Sequence, residues 1–279
     1  MYTPDNNTFE NLFQSAFRAA TAAGKRILEI YESDDFQVSM KSDNSPLSLA
    51  DRDAHNIIKR HLQNSCIPIL SEEGRDLQFE ERQSWDVLWI VDPLDGTRQF
   101  IQKREEFTVN IALITGGSPW FGLIYAPALG DMYFGVKDIG SFKIKMDETL
   151  PSLPFGKIVE KSEKLPSPVK NEEKYTILVS YNHLNEKTME YIAELGKIHP
   201  EIEVRKIGSS LKMCLLAAGT GDVYVRHTDT YEWDTAAAQA ILEGAGWSIY
   251  SLDADKPLTY NKESLLNPYF VCRKTIPQP

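Results

Sequence analysis

WIVDPLDGT, residues 89–97, continues an apolar run that begins at Val87 and is typical of a buried strand. Proline has no N–H to donate to a central ladder, so the strand is predicted to stop at Asp92-Pro93. Asp92 and Asp95 then place two carboxylates at a strand end, held by a tight turn. Hard divalent cations prefer such oxygen ligands, and the segment therefore predicts a metal site.

The last residues of this segment indicate a phosphate site beside the carboxylates. Gly96 removes a side chain where backbone must come close to a ligand. A helix that begins at Gly96 or Thr97 would direct its free N–H groups at the same place and favour a phosphate. Metal carboxylates next to a phosphate site are a specific combination, so we expect the centre of an active site here.

Three further acids lie at predicted element boundaries. Glu72 follows a short apolar strand, and Asp234 opens a helix rich in small residues. Asp51 lies three residues after Ser48, in a pattern typical of a capping box. One interpretation is structural, with the two aspartates complementing helix dipoles and Glu72 in a solvated loop. The other places all three acids at the metal site.

The candidate oxygen donors favour magnesium-dependent phosphate chemistry. Carboxylates and a carbonyl, without His or Cys, favour magnesium over zinc. Enzymes that clamp both oxygens of a phosphoryl transfer hold two cations roughly 3.5–4 Å apart. We expect Thr97 with Asp51 to orient or deprotonate the attacking water. No P-loop, Rossmann GxGxxG or GxSxG pattern is present to suggest another class. The donors are Glu72, Asp92, Asp95, Asp234 and the Leu94 carbonyl.

Composition narrows the class of protein. The chain has 279 residues, of which 42% are hydrophobic and 25% charged, enough for a sizeable core and two subdomains. A net charge of -10 argues against a nucleic-acid polymer as partner. Three scattered cysteines without zinc spacing indicate buried thiols in a reducing compartment. With no signal-peptide pattern and no apolar run near the ~18 residues of a membrane span, we predict a cytoplasmic protein without a transmembrane segment.

Hydrophobic patterns divide the chain into two parts. Residues 1–149 are predicted to form an N-terminal α+β subdomain that binds metal and phosphate, with a long first helix and antiparallel strands. The Pro-, Lys-, Glu- and Ser-rich stretch 150–174 is predicted to be a linker or surface insertion. Strand and helix patterns alternate over 175–279, which predicts a C-terminal α/β subdomain that closes the active site and binds the nucleotide.

The motifs SEEG, WIVDPLDGT and WDTAAA occur in this order, with Asp51 upstream in SPLSLAD. This series resembles the inositol monophosphatase superfamily of lithium-sensitive, magnesium-dependent phosphatases, and the resemblance covers most of the chain. It implies a layered α-β-α-β-α sandwich of the inositol monophosphatase/fructose bisphosphatase type, two or more magnesium ions, and inhibition by lithium. The metal ligands that it implies are Glu72, Asp92, the Leu94 carbonyl, Asp95 and Asp234. The catalytic residues that it implies are Asp51, Thr97 and Glu72, with phosphate bound by Asp95, Gly96, Thr97 and Arg98.

A narrower resemblance rests on DPLDGTRQFI, EEFTVNIALI, IGSSLK and KESLLNP, which are similar to the CysQ-type 3′(2′),5′-bisphosphate nucleotidases. It implies that the 3′-phosphate of adenosine 3′,5′-bisphosphate is hydrolysed to give AMP. Cationic side chains suit a second phosphate, although a plain surface charge is the alternative for each. The chain departs from this group at Tyr181-Asn182, where the group more often has Arg-Ser before the histidine. The nucleotide side that it implies consists of His183, Ser209, Lys212 and Arg226. Glu72 and Asp234 are also expected to bind the substrate.

The motifs and candidate ligands lead to three hypotheses about function. The first is the bisphosphate nucleotidase, which uses a metal-activated water on a small nucleotide bisphosphate. The alternative is an inositol monophosphatase or a related small phosphomonoester phosphatase. The third is a non-catalytic sensor, against which the presence of every expected ligand argues. The sequence leaves open whether the protein is a monomer or a homodimer, and whether it associates peripherally with the inner face of the membrane.

Overall fold

In the described residues, two large β-sheets alternate with three layers of helices, and two short strands form a separate antiparallel pair. The computed structural model describes residues 4–33, 35–40, 46–74, 77–167, 174–181 and 184–275. The α-helices in these residues are α1 (Asn6–Ser33), α2 (Leu49–Leu62), α3 (Phe79–Arg82), α4 (Thr97–Ile101), α5 (Phe155–Lys161), α6 (Glu186–Gly196), α7 (Leu211–Ala217) and α8 (Glu232–Gly244). The strands are β1 (Ser39–Met40), β2 (Pro46–Leu47), β3 (Ile69–Ser71), β4 (Val87–Asp95), β5 (Thr108–Thr115), β6 (Ser118–Ala126), β7 (Asp131–Val136), β8 (Gly140–Lys145), β9 (Glu163–Leu165), β10 (Tyr175–Val179), β11 (Ile202–Lys206), β12 (Val223–Arg226), β13 (Trp247–Ser251) and β14 (Phe270–Lys274).

The larger sheet has seven strands in the order β3-β4-β5-β6-β7-β8-β9. β3 and β4 run parallel, while the remaining neighbours pair antiparallel. The antiparallel strands predicted from alternating patterns are β5, β6 and β7, and that prediction is confirmed. The long α1 and the shorter α2 cover one face of this sheet with an aromatic-rich core that includes Phe13 and Phe17. Burial of this apolar face is the main force that holds the helices on the sheet.

The smaller sheet has five strands in the order β11-β10-β12-β14-β13. β10 pairs in parallel with both β11 and β12, because α6 and α7 provide the crossovers that parallel strands require. α6 packs on its outer face, and α7 and α8 fill the space between the two sheets. The order of layers is therefore helix, sheet, helix, sheet, helix, and the predicted α-β-α-β-α sandwich is confirmed.

The middle helix α8 lies unusually close to the larger sheet. A Cβ atom added at Gly122 would lie 2.2 Å from the carbonyl oxygen of Ala237, and one at Gly135 would lie 2.5 Å from that of Ala240. Only glycine allows backbone to approach backbone in this way. The small residues of α8 and the two strand glycines thus fix the height of this helix above β6 and β7.

β4 does not stop at Asp92-Pro93, so that prediction was wrong. The strand continues to Asp95, with Asp92 opposite Asn110, Asp95 opposite Thr108, and an irregular register between them. Because the ladder is interrupted at Pro93, the missing N–H of proline removes no regular hydrogen bond. Both aspartates therefore belong to one irregular strand end rather than to a strand and a separate turn.

The structure also differs from the linker or surface insertion predicted for 150–174. α5 lies within this stretch, and β9 pairs with β8 as the last strand of the larger sheet. Leu150, Ile158 and Leu165 are buried, but they are too widely spaced to produce a period in the sequence. Residues 168–173 lie outside the described ranges. The subdomain boundaries at 149 and 175 stay a prediction.

No helix in the described part of the chain combines the length and the apolar character needed to cross a membrane.

Candidate active site

Three carboxylates from distant parts of the sequence meet at the end of β4. Asp92 and Asp95 come from the irregular strand end, and Asp234 comes from the first turn of α8. Each offers an oxygen that lies within 4.8 Å of the other two. Negative charges at this distance repel one another. A set of oxygen donors with this charge fits a hard divalent cation, which would stabilise the group.

The ionisation of Asp234 reflects this crowding. Burial raises the pKa of its carboxyl group to about 8, and the charges of Asp95 and Glu72 add to the effect. The backbone N–H of Tyr231 donates to Asp234 Oδ2 at 2.7 Å and opposes part of the rise. The helix-capping role considered for Asp234 is therefore present, and it places the carboxylate beside the two acids of β4.

The backbone between the two β4 aspartates is held by local hydrogen bonds. The N–H of Leu94 donates to Asp92 Oδ1 at 3.0 Å, and the Thr97 hydroxyl lies 3.3 Å from the Leu94 carbonyl oxygen. Gly96 has φ +93° and precedes the first turn of α4, as expected. A Cβ atom there would lie 3.0 Å from the Glu106 carbonyl oxygen. Glycine is therefore required both by conformation and by space.

Thr97 and Asp51 form the pair that the sequence predicted. The Thr97 hydroxyl donates to Asp51 Oδ1 at 3.0 Å. The second oxygen, Oδ2, accepts from the backbone N–H of Ser48 at 2.7 Å and from the Ser48 hydroxyl at 2.5 Å. The capping box and the contact with Thr97 therefore coexist, one on each oxygen of the carboxylate.

Glu72 lies at the end of β3, in a single turn of 3₁₀ helix over Glu72–Gly74. Because β3 and β4 are parallel neighbours, their carboxyl ends meet at the same edge of the sheet. Glu72 lines the same cavity as Asp95 and Asp234, and its charge acts on Asp234. The group that meets within 4.8 Å is nonetheless the three aspartates. Metal and catalytic roles for Glu72 stay predictions.

One cavity of about 330 Å³ joins these acids to a basic region. Lys212 is only 4% exposed, and its ammonium donates to the carbonyl oxygens of Ile207 and Ser209, the first at 3.2 Å. Burial lowers the pKa of Lys212 to about 8, while the negative charge of Asp95 opposes that change. A buried cation at the wall of a cavity is suited to an anionic ligand.

Arg226 lies on the same wall at the end of β12. Its Nη1 donates to the Ser180 hydroxyl at 2.7 Å, and its Nη2 lies 3.3 Å from the Asp229 carbonyl oxygen. The buried Nε has no hydrogen-bond partner within the described residues. Arg98 and Ser209 also line the cavity. His183, predicted for the nucleotide side, lies outside the described residues.

A buried polar network behind Asp95 was missed by the sequence reasoning, which treated Thr108 and Asn110 as ordinary strand residues. The Ser210 hydroxyl lies 2.8 Å from Asn110 Oδ1 and 2.8 Å from Thr108 Oγ1. The backbone N–H of Ser210 donates to Asp95 Oδ2, and Asn110 Nδ2 lies 3.5 Å from the same oxygen. The network ties β5 to the start of α7, and the only hint in the sequence was two polar residues within an apolar strand.

The KESLLNP motif supports the start of α8. Asn267 Nδ2 donates to the carbonyl oxygen of Tyr231 at 2.6 Å and lies 3.0 Å from the Thr235 hydroxyl. Glu232 is fully buried and accepts from the backbone N–H groups of Asn261 and Lys262 at 2.6 and 3.0 Å. These contacts fix the turn that carries Asp234.

Known proteins of similar sequence match this chain over most of its length and most of their own. The 3′(2′),5′-bisphosphate nucleotidase CysQ of Escherichia coli K12 is 37% identical over 255 residues, covering 90% of this chain and 95% of that protein. The protein of the same name from Buchnera aphidicola is 38% identical, covering 88% of this chain and 86% of that protein.

Solved structures of other proteins have the same fold as this chain. CysQ from Bacteroides thetaiotaomicron, described as a bacterial member of the inositol monophosphatase family, superposes with a TM-score of 0.88. It is 42% identical and covers 96% of this chain and 99% of that chain. The SuhB protein of Bartonella henselae has a TM-score of 0.72 at 23% identity over 94% and 93% of the two chains, which shows the shared fold.

The profile of the inositol monophosphatase family matches residues 9–272, nearly the whole chain. That match includes all three aspartates of the cluster, the Thr97–Asp51 pair and both cations of the cavity. This chain belongs to the inositol monophosphatase family.

Proposed function

We propose that the protein is a magnesium-dependent 3′(2′),5′-bisphosphate nucleotidase that converts adenosine 3′,5′-bisphosphate to AMP. The observation that carries the proposal is one cavity of about 330 Å³ whose lining includes both acids and cations. We call the part formed by Asp95 and Asp234 its metal end, and the part formed by Lys212 and Arg226 its basic or nucleotide end. A substrate with two phosphates can place one at each end. The relatives that bear the name of this activity support the same choice.

The metal end is suited to magnesium. Asp92, Asp95 and Asp234 would hold the ions, and Glu72 with the Leu94 carbonyl would add further oxygens. When bound, two or more magnesium ions supply the positive charge that acidifies the attacking water and neutralises the leaving-group oxygen. Inhibition by lithium belongs to this proposal, because a small monovalent ion can occupy a magnesium position without providing its charge.

Thr97 and Asp51 provide a route for the proton of the attacking water. The Thr97 hydroxyl donates its own hydrogen to Asp51, so its lone pairs face away from that contact and can accept from water. A proton that passes to Thr97 Oγ1 can move on to Asp51 Oδ1 along the 3.0 Å hydrogen bond. Backbone and side-chain groups of residues 95–98 would bind the phosphate that is released.

The basic end would bind the second phosphate. Lys212 and Arg226 carry the charges, and Ser209 adds a hydroxyl to the same wall. The arginine is held in place by Ser180 and the Asp229 carbonyl, so little conformational freedom is lost when a phosphate binds. His183 completes this set in the proposal.

A phosphate-release assay across several esters, with and without magnesium, tests the proposal. We expect rapid, magnesium-dependent release from adenosine 3′,5′-bisphosphate and much slower release from inositol 1-phosphate. A preference for inositol 1-phosphate would favour the second candidate, an inositol monophosphatase, and overturn the nucleotidase proposal. Including the 5′-phosphosulfate analogue would establish which of the two nucleotides is preferred. A cytoplasmic location stays a prediction.

A further inference from the structure

Tyr181 occupies a wall between two cavities. The first is the active-site cavity, and the second is a neighbouring cavity of about 520 Å³ that also contains Arg104 and Glu106. Tyr181 lines both, whereas Arg104 lines the second alone. Tyr181 therefore belongs to the walls of both cavities.

Two side chains hold the Tyr181 ring, one against its face and one at its hydroxyl group. The Arg104 guanidinium lies 4.4 Å from the ring centroid, a cation–π distance, on the side of the second cavity. The Tyr181 hydroxyl donates to Glu106 Oε1 at 3.2 Å. Partial burial and the adjacent Glu106 charge raise the pKa of Tyr181, so the phenol keeps its proton and this hydrogen bond at neutral pH.

The same carboxylate connects the ring to the basic end of the active site. Glu106 Oε2 accepts from the backbone N–H of Gly208 at 2.9 Å. Gly208 begins the turn that carries Ser209, whose carbonyl oxygen accepts from the Lys212 ammonium. A Cβ atom at Gly208 would lie 2.8 Å from the Glu106 carbonyl oxygen, so the turn is packed directly on Glu106. These contacts therefore fix the position of the Tyr181 ring relative to the Lys212 ammonium.

We propose that Tyr181 is a specificity-determining residue that stacks on the nucleobase of the substrate, with Arg104 and Glu106 holding its ring in place. This inference rests on the proposed nucleotidase function. A flat aromatic face and a buried cation on the wall of one cavity suit a ligand that presents a planar base and a phosphate together. A base stacked on an aromatic side chain gains affinity largely independently of its hydrogen-bonding edge, because every base has a π-face. The ring should therefore select nucleotides over esters of inositol or simple sugars without choosing strongly among bases.

Tyr181→Leu tests the stack. We expect KM for adenosine 3′,5′-bisphosphate to rise about 10-fold or more while kcat changes little, because stacking contributes to binding rather than to the transfer step. An abasic analogue, in which hydrogen replaces adenine, should show the same KM in the wild type and the variant. Tyr181→Phe keeps the ring and loses only the bond to Glu106, so its KM should stay within about threefold of wild type.

Tyr250→Leu is the matched control. Tyr250 lies on β13 with Arg273 4.7 Å from its ring centroid, the same pairing of tyrosine and arginine away from the cavity. Calorimetric titration with AMP gives a second measurement, in which Tyr181→Leu should weaken binding by the same factor. An equal rise in KM for the abasic analogue, an unchanged KM, or a Tyr181→Phe variant as impaired as Tyr181→Leu would each overturn the stack. The nucleotidase proposal fails separately, if the wild type prefers inositol 1-phosphate.

Discussion

The two ends of the active-site cavity are built differently. At the metal end, three acids are held by hydrogen bonds to their own neighbours: Asp92 by Leu94, Asp234 by Tyr231 and Asp51 by Ser48. Asp95 is the exception there, because the backbone N–H of Ser210, 115 positions away, donates to it. At the nucleotide end, Lys212 is held locally, but other bonds join distant residues, such as Arg226 to Ser180, 46 positions away, and Gly208 to Glu106, 102 positions away. The metal end is therefore encoded largely in short motifs, while the nucleotide end depends more on how the two sheets are packed.

This difference implies that the two ends can be changed separately. Variants at the metal end should impair hydrolysis of every phosphate ester, since each substrate uses the same ions. Variants at the nucleotide end should raise KM for the nucleotide and leave a small ester unaffected. A variant that failed to follow this division would show that the two ends are coupled through the shared cavity.

Asp95→Asn should have the largest effect. Loss of a ligand charge removes several kcal/mol of transition-state stabilisation, so we expect kcat to fall on the order of 10³-fold for nucleotide and inositol esters alike. The melting temperature without metal should not fall, because a charge that repels the neighbouring acids is gone, and the rise produced by magnesium should shrink. Phosphate release and thermal unfolding with and without magnesium measure both effects.

Asp253→Asn makes the same chemical change at an exposed position and should leave the rate and the magnesium response as they are. Turnover by Asp95→Asn at the wild-type rate would contradict the assignment of this carboxylate to the metals.

Thr97→Val should have the second-largest effect on the rate of hydrolysis. Valine keeps the shape but removes the hydroxyl that donates to Asp51 and, in the proposed mechanism, accepts the proton of the attacking water. We therefore expect kcat to fall about 10²-fold with little change in KM. The Ser48 contacts with Asp51 remain, and stability should be close to that of the wild type. Thr97→Ser restores the hydroxyl and should recover most of the rate; a serine variant as slow as the valine variant would argue against the proton route.

Lys212→Met should affect the nucleotide alone. Removal of a charged donor to the second phosphate should raise KM for adenosine 3′,5′-bisphosphate about 10-fold or more, with inositol 1-phosphate hydrolysed as before. Lys206→Met removes an exposed cation six positions earlier and is the control. If Lys212→Met slowed both substrates equally, the division between the two ends would not hold.

The dependence of KM on pH should give the smallest effect. Because burial lowers the pKa of Lys212 to about 8, the cation is present below that pH and is lost as pH rises through it. KM for the nucleotide should therefore rise severalfold between pH 7 and pH 9, whereas KM for a small ester should not share this rise. Lys212→Met should flatten the nucleotide profile, and a slope that persisted in the variant would assign the titration to another group.

The local character of the metal end explains why its residues could be predicted. Asp92, Asp95 and Thr97 occupy one nine-residue segment, so their proximity needs no knowledge of the fold. Asp51 and Asp234 lie at helix starts, where chemistry and capping favour the same residue type. The one local error, the end of β4 at Pro93, arose because a bulge is not visible in a hydrophobic pattern.

The residues whose roles the sequence did not predict have a different property in common. Asn110 and Glu106 act through bonds to Ser210 and Gly208, 100 and 102 positions away, and no spacing rule in a single sequence relates such positions. The stretch 150–174 was misjudged for a similar reason, since its buried apolar residues join two different cores: Leu150 and Ile158 the core under α1, and Leu165 the core between the sheets. The layered fold itself was predicted because its strands and helices are long enough to show their own periods.

The position of α8 on Gly122 and Gly135 has a consequence for the metal ions. The helix that carries Asp234 is in contact with bare strand backbone, so even a methyl group at either glycine would act as a spacer and displace it by a distance on the order of 1 Å. A shift of that size is enough to open a coordination sphere and slow a reaction by about 10²-fold. Under the proposed function, affinity for magnesium would thus be set partly by two residues that never touch the ion, and a substitution deep in the larger sheet would impair the enzyme.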